Sequence, residues 1–346
     1  MSDKKKALLI INPRAGKDST RHSAEEIIAK VDPDGTLFEF TVKETTCSGD
    51  ATNLAKEFCP GHDLVICCGG DGTLNETING VMLLGNRIPI GYLPMGSTND
   101  LANTIGIPTD IDEFASLIRD GHTNGYDVGM VNNKFFTYVA SFGPGSSMSY
   151  STPQWMKNHL GHAAYMLNGF VFKLFSNLKE VKPLRIRFEY DGGVVDDTFF
   201  FGAVSNSTSV AGIFKYNEDD VKLDDGLLEV LLVRKLRSPF DAFRMFGKIL
   251  KRDYDGDSLI FLRTSACRFT FLDEGVKWTF DGEYGGKIDD ARISILNRAV
   301  DIISPANKMF LGDISQPAFV REPKVKKSKA VFDKEENSVT KNTEEV

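Results

Sequence analysis

The apolar run Leu64-Val65-Ile66-Cys67-Cys68, followed at once by Gly69-Gly70-Asp71-Gly72-Thr73, constrains this chain more than any other segment. An uncharged run of that length predicts a strand buried on both faces. Leu74, Ile78 and Val81 then recur at helical spacing, so the glycines join a strand to a helix. Glycine lets the backbone turn sharply and approach a ligand, and a helix start offers unpaired N–H groups, so the junction suits a phosphate. The bland alternative is a tight turn with Asp71 as helix cap. That explains Asp71 but neither three glycines nor Asn75-Glu76. No G-x-x-x-x-G-K-[S/T] loop occurs, and Asn75 stands where the dinucleotide fingerprint needs its third glycine.

Around this segment the first third of the chain alternates. Residues 7–11 predict a strand, 12–17 a turn, and a helix capped by Ser19 or Thr20 runs to about Lys30. Further strands are expected at 37–42 and 88–93, with helices at 50–58 and from about Leu101. Such alternation predicts an α/β architecture with a doubly wound parallel sheet whose ligand edge carries the glycine turns. Beyond Gly121 the pattern becomes hairpins: 127–139 around Asn132-Asn133, then 185–190 and 194–204 around Asp191-Gly192-Gly193. More strands are expected at 227–233, 258–261, 267–271, 277–280 and 292–296, with helical stretches near 163–178 and 239–250. The expected division is an N-terminal α/β domain over 1–122 joined by 300–320, a mainly antiparallel β-sandwich domain over 123–299, and a disordered charged tail over 321–346.

At 346 residues and 41% hydrophobic content, two well-filled cores are within reach. A net charge of -7 gives no general footprint for nucleic acid, so an anionic partner must be held locally. The apolar run 7–11 is too short for a signal-peptide core, and no segment reaches the roughly 20 apolar residues of a spanning helix. The expectation is a cytoplasmic protein, at most peripheral to a membrane. Five cysteines form no C-x-x-C pair, and Cys67 and Cys68 should point to opposite faces of their strand as small apolar groups.

Adding Pro94-Met95-Gly96-Ser97-Thr98-Asn99-Asp100 makes the pattern specific: the chain resembles the diacylglycerol kinase catalytic-domain family and, within it, the soluble bacterial lipid kinases. NAD kinases and phosphofructokinases share the G-G-D-G-T turn; P-x-G-[S/T]-x-N-D soon after it points to the lipid-kinase branch. The resemblance extends through residues 222–227 and Asp281-Gly282-Glu283-Tyr284-Gly285-Gly286. It implies that ATP lies in a cleft between the two domains. Asn12, Pro13, Arg14, Ala15 and Gly16 match the family's nucleotide loop, and Thr45 falls at a nucleotide-contacting position. Gly69, Gly70, Asp71, Gly72, Thr73, Leu74 and Asn75 match its phosphate turn. Ser97 stands where threonine is common, which keeps the hydroxyl, and Asp100 equally suits a helix cap.

Acidic residues gather at Asp219-Asp220 and Asp224-Asp225 ahead of an apolar strand, which burial alone would penalise. An Asp-Gly turn is the plain reading. The resemblance implies a structural Mg²⁺ held by Asp225 with the carbonyls of Lys222 and Leu227, a donor set that suits a hard cation. It also implies that Glu283 is the general base for a lipid hydroxyl and that Asp71 helps hold Mg²⁺-ATP, against the plain reading of a hairpin turn with solvated acids. The histidines, including His159 and His162, form no metal constellation. The expected activity is ATP-dependent phosphorylation of diacylglycerol or a related lipid alcohol to phosphatidic acid. The acceptor would be met by transient contact with a membrane surface; a second copy of the chain stays open as a partner. Rival readings are a sphingosine-type kinase, an NAD kinase, or an inactive nucleotide-binding regulator.

Overall fold

The computed structural model describes residues 4–16, 22–85, 87–97, 99–143, 182–210, 214–217, 219–235, 239–254, 258–306 and 308–310. Four strands lie parallel in the order β4-β3-β1-β2: β1 (Lys5–Ile11), β2 (Phe38–Glu44), β3 (Leu64–Gly69) and β4 (Ile90–Pro94). Every residue of β3 and β4 is buried, as continuous apolar runs in a covered parallel sheet require. Cys67 packs with Leu8, Ile10 and Val65 on one face, while Cys68 packs with Leu9, Ile11 and Ile66 on the other. Burial pushes the Cys67 thiol up to about 12.

Five helices cover this sheet: α1 (Ala24–Val31), α2 (Asp50–Phe58), α3 (Asp71–Met82), α4 (Asp100–Ile105) and α5 (Ile111–Asp120). Two of them depart from expectation. Helix α1 begins at Ala24 with Ser23 as its cap, the Ser23 side chain accepting from Glu26 N–H; Ser19 and Thr20 lie outside the described residues. Helix α5 was unforeseen, although Asp110 caps it through the N–H groups of Asp112 and Glu113 and its apolar face repeats at Ile111, Phe114, Ala115, Leu117 and Ile118. Helices α2 and α3 touch closely, because a β-carbon on Gly80 would stand 2.5 Å from that of Ala55.

The remainder is mainly antiparallel. It comprises β5 (Thr123–Val131), β6 (Lys134–Phe136), β7 (Val139–Phe142), β8 (Leu184–Tyr190), β9 (Gly193–Ser205), a small hairpin of β10 (Ser209–Val210) and β11 (Phe214–Lys215), and β12 (Leu228–Arg234). A helix α6 (Pro239–Leu250) precedes β13 (Leu259–Thr264), β14 (Ala266–Phe271), β15 (Val276–Phe280), β16 (Glu283–Ile288) and β17 (Asp290–Ile303). The long β9 pairs with β8 through its first half and with β7 and β12 through its second, so it turns from one layer into the other. Phe142 meets Phe269 edge-on at 5.4 Å and its cross-strand partner on β15, Trp278, at 4.8 Å. Strand β17 is longer than its sequence pattern suggests: it pairs with β5 and β14, and Ile302 then pairs in parallel with Ile90 of β4. Among the described residues no helix is long and apolar enough to cross a membrane. Residues 163–178, with His159 and His162 before them, and the tail 321–346 lie outside those described.

Candidate active site

The C-terminal ends of β1, β3 and β4 carry the three glycine-containing turns. Gly70 is the cap position of α3 and makes no side-chain cap bond, so Asp71 is the first helical residue and not the cap. Gly69 has no room for a side chain, since a β-carbon there would fall 2.6 Å from the Thr73 side chain. One on Gly96 would fall 2.7 Å from Gly70 Cα. The Met95 N–H donates to the Gly69 carbonyl at 2.7 Å, making one floor of the two turns. Asn12 joins it: its amide donates to Thr73 Oγ1 at 3.1 Å and its Oδ1 accepts from Arg14 N–H at 3.0 Å. Around it Pro13 and Arg14 are exposed, Ala15 is buried and Gly16 takes a left-handed φ of 65°. Thr45 is buried beside the end of β1, its N–H bonded to Ile11 at 2.9 Å. Ser97 is exposed above the floor, and Thr98 lies outside the described residues.

Asp71 faces the start of α4, where the N–H groups of Asp100, Leu101 and Asn99 favour its charged form. Burial outweighs them and raises its carboxyl above the usual range. One carboxylate oxygen, Oδ1, is buried with no hydrogen-bond partner among the described residues. Asp100 opens α4 and does not cap it; the cap position belongs to Asn99 at a φ of 52°.

Further along α3, Leu74, Asn75 and Glu76 each have partners within the protein. Glu76 caps α2, accepting from Gly49 N–H at 2.8 Å and Ala51 N–H at 3.1 Å, which fixes the loop after Thr45. Asn75 turns its amide toward Asp281 and Thr137, and its Oδ1 accepts from Asn79 at 3.0 Å, so the side chain is hydrogen-bonded at both ends. Leu74 is core, and its N–H bonds to the Gly70 carbonyl at 3.1 Å.

Glu283 opens β16, exposed to solvent, directly across from this turn. A β-carbon built on Gly72 would stand 3.9 Å from Glu283 Oε1. Two residues that are 211 apart in the chain thus meet over the first turn of α3. Tyr284, beside Glu283, is 68% exposed.

The second acidic cluster lies deeper. Asp225 Oδ1 accepts from Leu227 N–H at 3.0 Å, while Oδ2 pairs with Arg263, whose Nε reaches Glu229 at 3.2 Å. Asp224 pairs with Arg298 at 2.8 Å, and Asp127 accepts from Gly226 and Arg298 N–H groups at 2.6 Å each. Burial raises Asp127 to about 6 and Glu229 to about 8, in both cases with help from the Asp225 charge. Three of these carboxylates, Asp224, Asp225 and Glu229, pair with two guanidinium groups, and Asp127 is held by main-chain N–H groups and the Asn297 amide instead. That surplus of hard oxygen donors fits a divalent cation. Among the described residues no three His, Cys, Asp or Glu side chains converge on one point, so backbone carbonyls such as those of Lys222 and Leu227 would have to complete the set.

Asp127, Glu229 and Arg263 escaped the sequence reading. The available signal was a charge inside an otherwise apolar strand, Glu229 in Leu-Glu-Val-Leu-Leu-Val and Arg263 in Leu-Ile-Phe-Leu-Arg-Thr. Such residues are rarely buried unless paired.

The family described as the diacylglycerol kinase catalytic domain matches residues 6–131. The chain is 31% identical over 307 residues to a diacylglycerol kinase of Bacillus subtilis (strain 168), covering 88% of this chain and 98% of that one. It is 32% identical over 308 residues to a diacylglycerol kinase of Staphylococcus aureus (strain bovine RF122 / ET3-1), covering 87% and 93%. The crystal structure of a diacylglycerol kinase from Bacillus anthracis str. Sterne superposes with a TM-score of 0.64 at 25% identity, covering 90% of this chain and all of that one.

Proposed function

The chain belongs to the diacylglycerol kinase catalytic-domain family, and on that premise we propose that it moves the γ-phosphoryl group of ATP to the hydroxyl of diacylglycerol or a close lipid alcohol. The observation that carries the reading is the approach of Glu283 to Gly72 across the phosphate turn. A base is thereby held over a helix start whose first turn has no side-chain cap.

The ATP phosphates would lie along Gly69 to Thr73, with Asn12 to Gly16, Thr45, Ser97 and Asp100 around the nucleotide. The acceptor hydroxyl would sit between Glu283 and the γ-phosphate. As its oxygen bonds to phosphorus, the bond to the ADP oxygen breaks and Glu283 takes the hydroxyl proton, giving phosphatidic acid and ADP. In a loose transfer that proton leaves late, so the placement of Glu283 counts for more than its basicity. Magnesium arriving with ATP would supply neutralisation of the phosphate charge. Asp71, whose buried Oδ1 has no partner among the described residues, is the residue suited to face it. A structural Mg²⁺ would be held by Asp225 with the carbonyls of Lys222 and Leu227. The lipid is met at a bilayer surface by transient docking, for which exposed Tyr284 beside the base is an apt contact.

The reading is tested by incubating the full chain with γ-labelled ATP, Mg²⁺ and mixed micelles of diacylglycerol, ceramide, sphingosine or a prenol, with NAD as a separate acceptor. Label in phosphatidic acid supports it. Label in NAD alone, or in no acceptor, contradicts it.

A further inference from the structure

The carboxylate of Asp281 takes more hydrogen bonds than its place in a surface turn requires. Its Oδ1 accepts from the N–H groups of Tyr138 and Val139 at 2.8 Å each. Its Oδ2 accepts from Thr137 N–H at 2.7 Å, from Thr137 Oγ1 at 3.0 Å and from the Asn75 amide. The Asp281 N–H in turn donates to the Val139 carbonyl at 2.8 Å. The residue adopts a left-handed φ of 48° and Gly282 one of 89°, the pair of conformations an Asp-Gly hairpin turn takes. Asp281 therefore fixes both the segment 137–139 and the turn that launches β16.

Asn75 lies on α3 three residues after Gly72, on the same side of the helix. Asp281 lies two residues before Glu283. The Asn75–Asp281 bond thus joins the elements whose tips carry the phosphate turn and the carboxylate above it. Both ends are further braced, Asn75 by Asn79 at 3.0 Å and the turn by Lys134, whose ammonium donates to the Gly285 carbonyl at 2.8 Å.

We propose that Asp281 and Asn75 are positioning residues: the amide–carboxylate bond between them sets the height of Glu283 over the phosphate turn. Neither touches the reacting atoms. This rests on the kinase reading above for its kinetic consequence and on geometry alone for its structural one.

The test uses the full chain as wild type, Asn75→Asp, Asp281→Asn and the double exchange. Transfer from ATP to diacylglycerol, equilibrium ATP binding and amide hydrogen exchange are measured on each. Asn75→Asp sets two carboxylates against each other. We expect kcat to fall tenfold or more, ATP affinity to stay within about threefold, and exchange at Thr137, Tyr138 and Val139 to quicken. The double exchange restores an amide–carboxylate pair with the roles reversed. It should regain at least fivefold in kcat over Asn75→Asp and slow that exchange again, which a simply damaged fold would not do. Wild-type kcat in Asn75→Asp, or a double variant no better than the worse single one, overturns the proposal. If the wild type transfers nothing, the kinase reading fails by itself. The exchange cycle then decides: recovery of protection in the double variant supports the bridge, and independent losses overturn it.

Discussion

Gly96 rests against Gly70 so closely that a β-carbon on it would stand 2.7 Å from the Gly70 Cα and 2.7 Å from Asn99 Oδ1. Two loops from different strand ends share one floor because neither has a side chain there. Gly96→Ala must part them, at a cost of about 1–3 kcal/mol typical of overpacking. Thermal unfolding should show a lower midpoint; an unchanged midpoint would mean that the floor is not closed.

Gly72 presents the opposite case. A β-carbon there has 3.9 Å to its nearest neighbour, Glu283 Oε1, so Gly72→Ala fits the protein and alanine suits a helix better than glycine. On the kinase reading its methyl group would intrude on the bound phosphate. The melting midpoint should hold or rise while KM for ATP increases severalfold. Parallel loss of stability and affinity would assign Gly72 to the fold instead.

The parallel half was legible because its signals are local. Residues 50–58 were expected as a helix and form α2, and the Leu64 run forms β3. Helix α5 carried its capping residue in plain view at Asp110 and was overlooked. The length of β17 was not local information, since its last residues pair with β4 and β5, far away in sequence. The same distinction governs the site. A glycine turn shows itself in five residues, whereas the partnership of Asn75 with Asp281 spans 206 positions and appears only on folding.

Glu229 carries the pH dependence. Its carboxyl is raised from the 4.5 of an unfolded chain to about 8, chiefly by burial. The stability this group contributes is full below pH 4.5 and is lost as pH rises through 8. Between those limits the folded state binds the extra proton, so unfolding free energy falls by up to about 1 kcal/mol per pH unit. Relative to wild type, Glu229→Gln should gain stability from pH 5 to pH 8 in denaturant titrations. A constant difference across that range would refute the assignment.

Asp225 is the residue through which a divalent ion would act on the fold. Melting of the wild type in Mg²⁺ should lie above that in a chelator, by RT ln(1 + [L]/Kd) in free energy. Asp225→Ala should melt lower and lose the Mg²⁺ increment. An equal Mg²⁺ response in both proteins would separate the ion from Asp225.

In the proposed reaction Glu283 accepts the proton of a lipid hydroxyl over the phosphate turn. The most direct measurement is single-turnover transfer from γ-labelled ATP to diacylglycerol by wild type and Glu283→Gln, with ATP binding determined on both. Glu283→Gln keeps the shape and removes the basic group, so transfer should fall by about 10²–10⁴-fold while ATP binds as before. Transfer surviving within about tenfold, a barrier change of only about 1.4 kcal/mol, would mean that Glu283 is not the base.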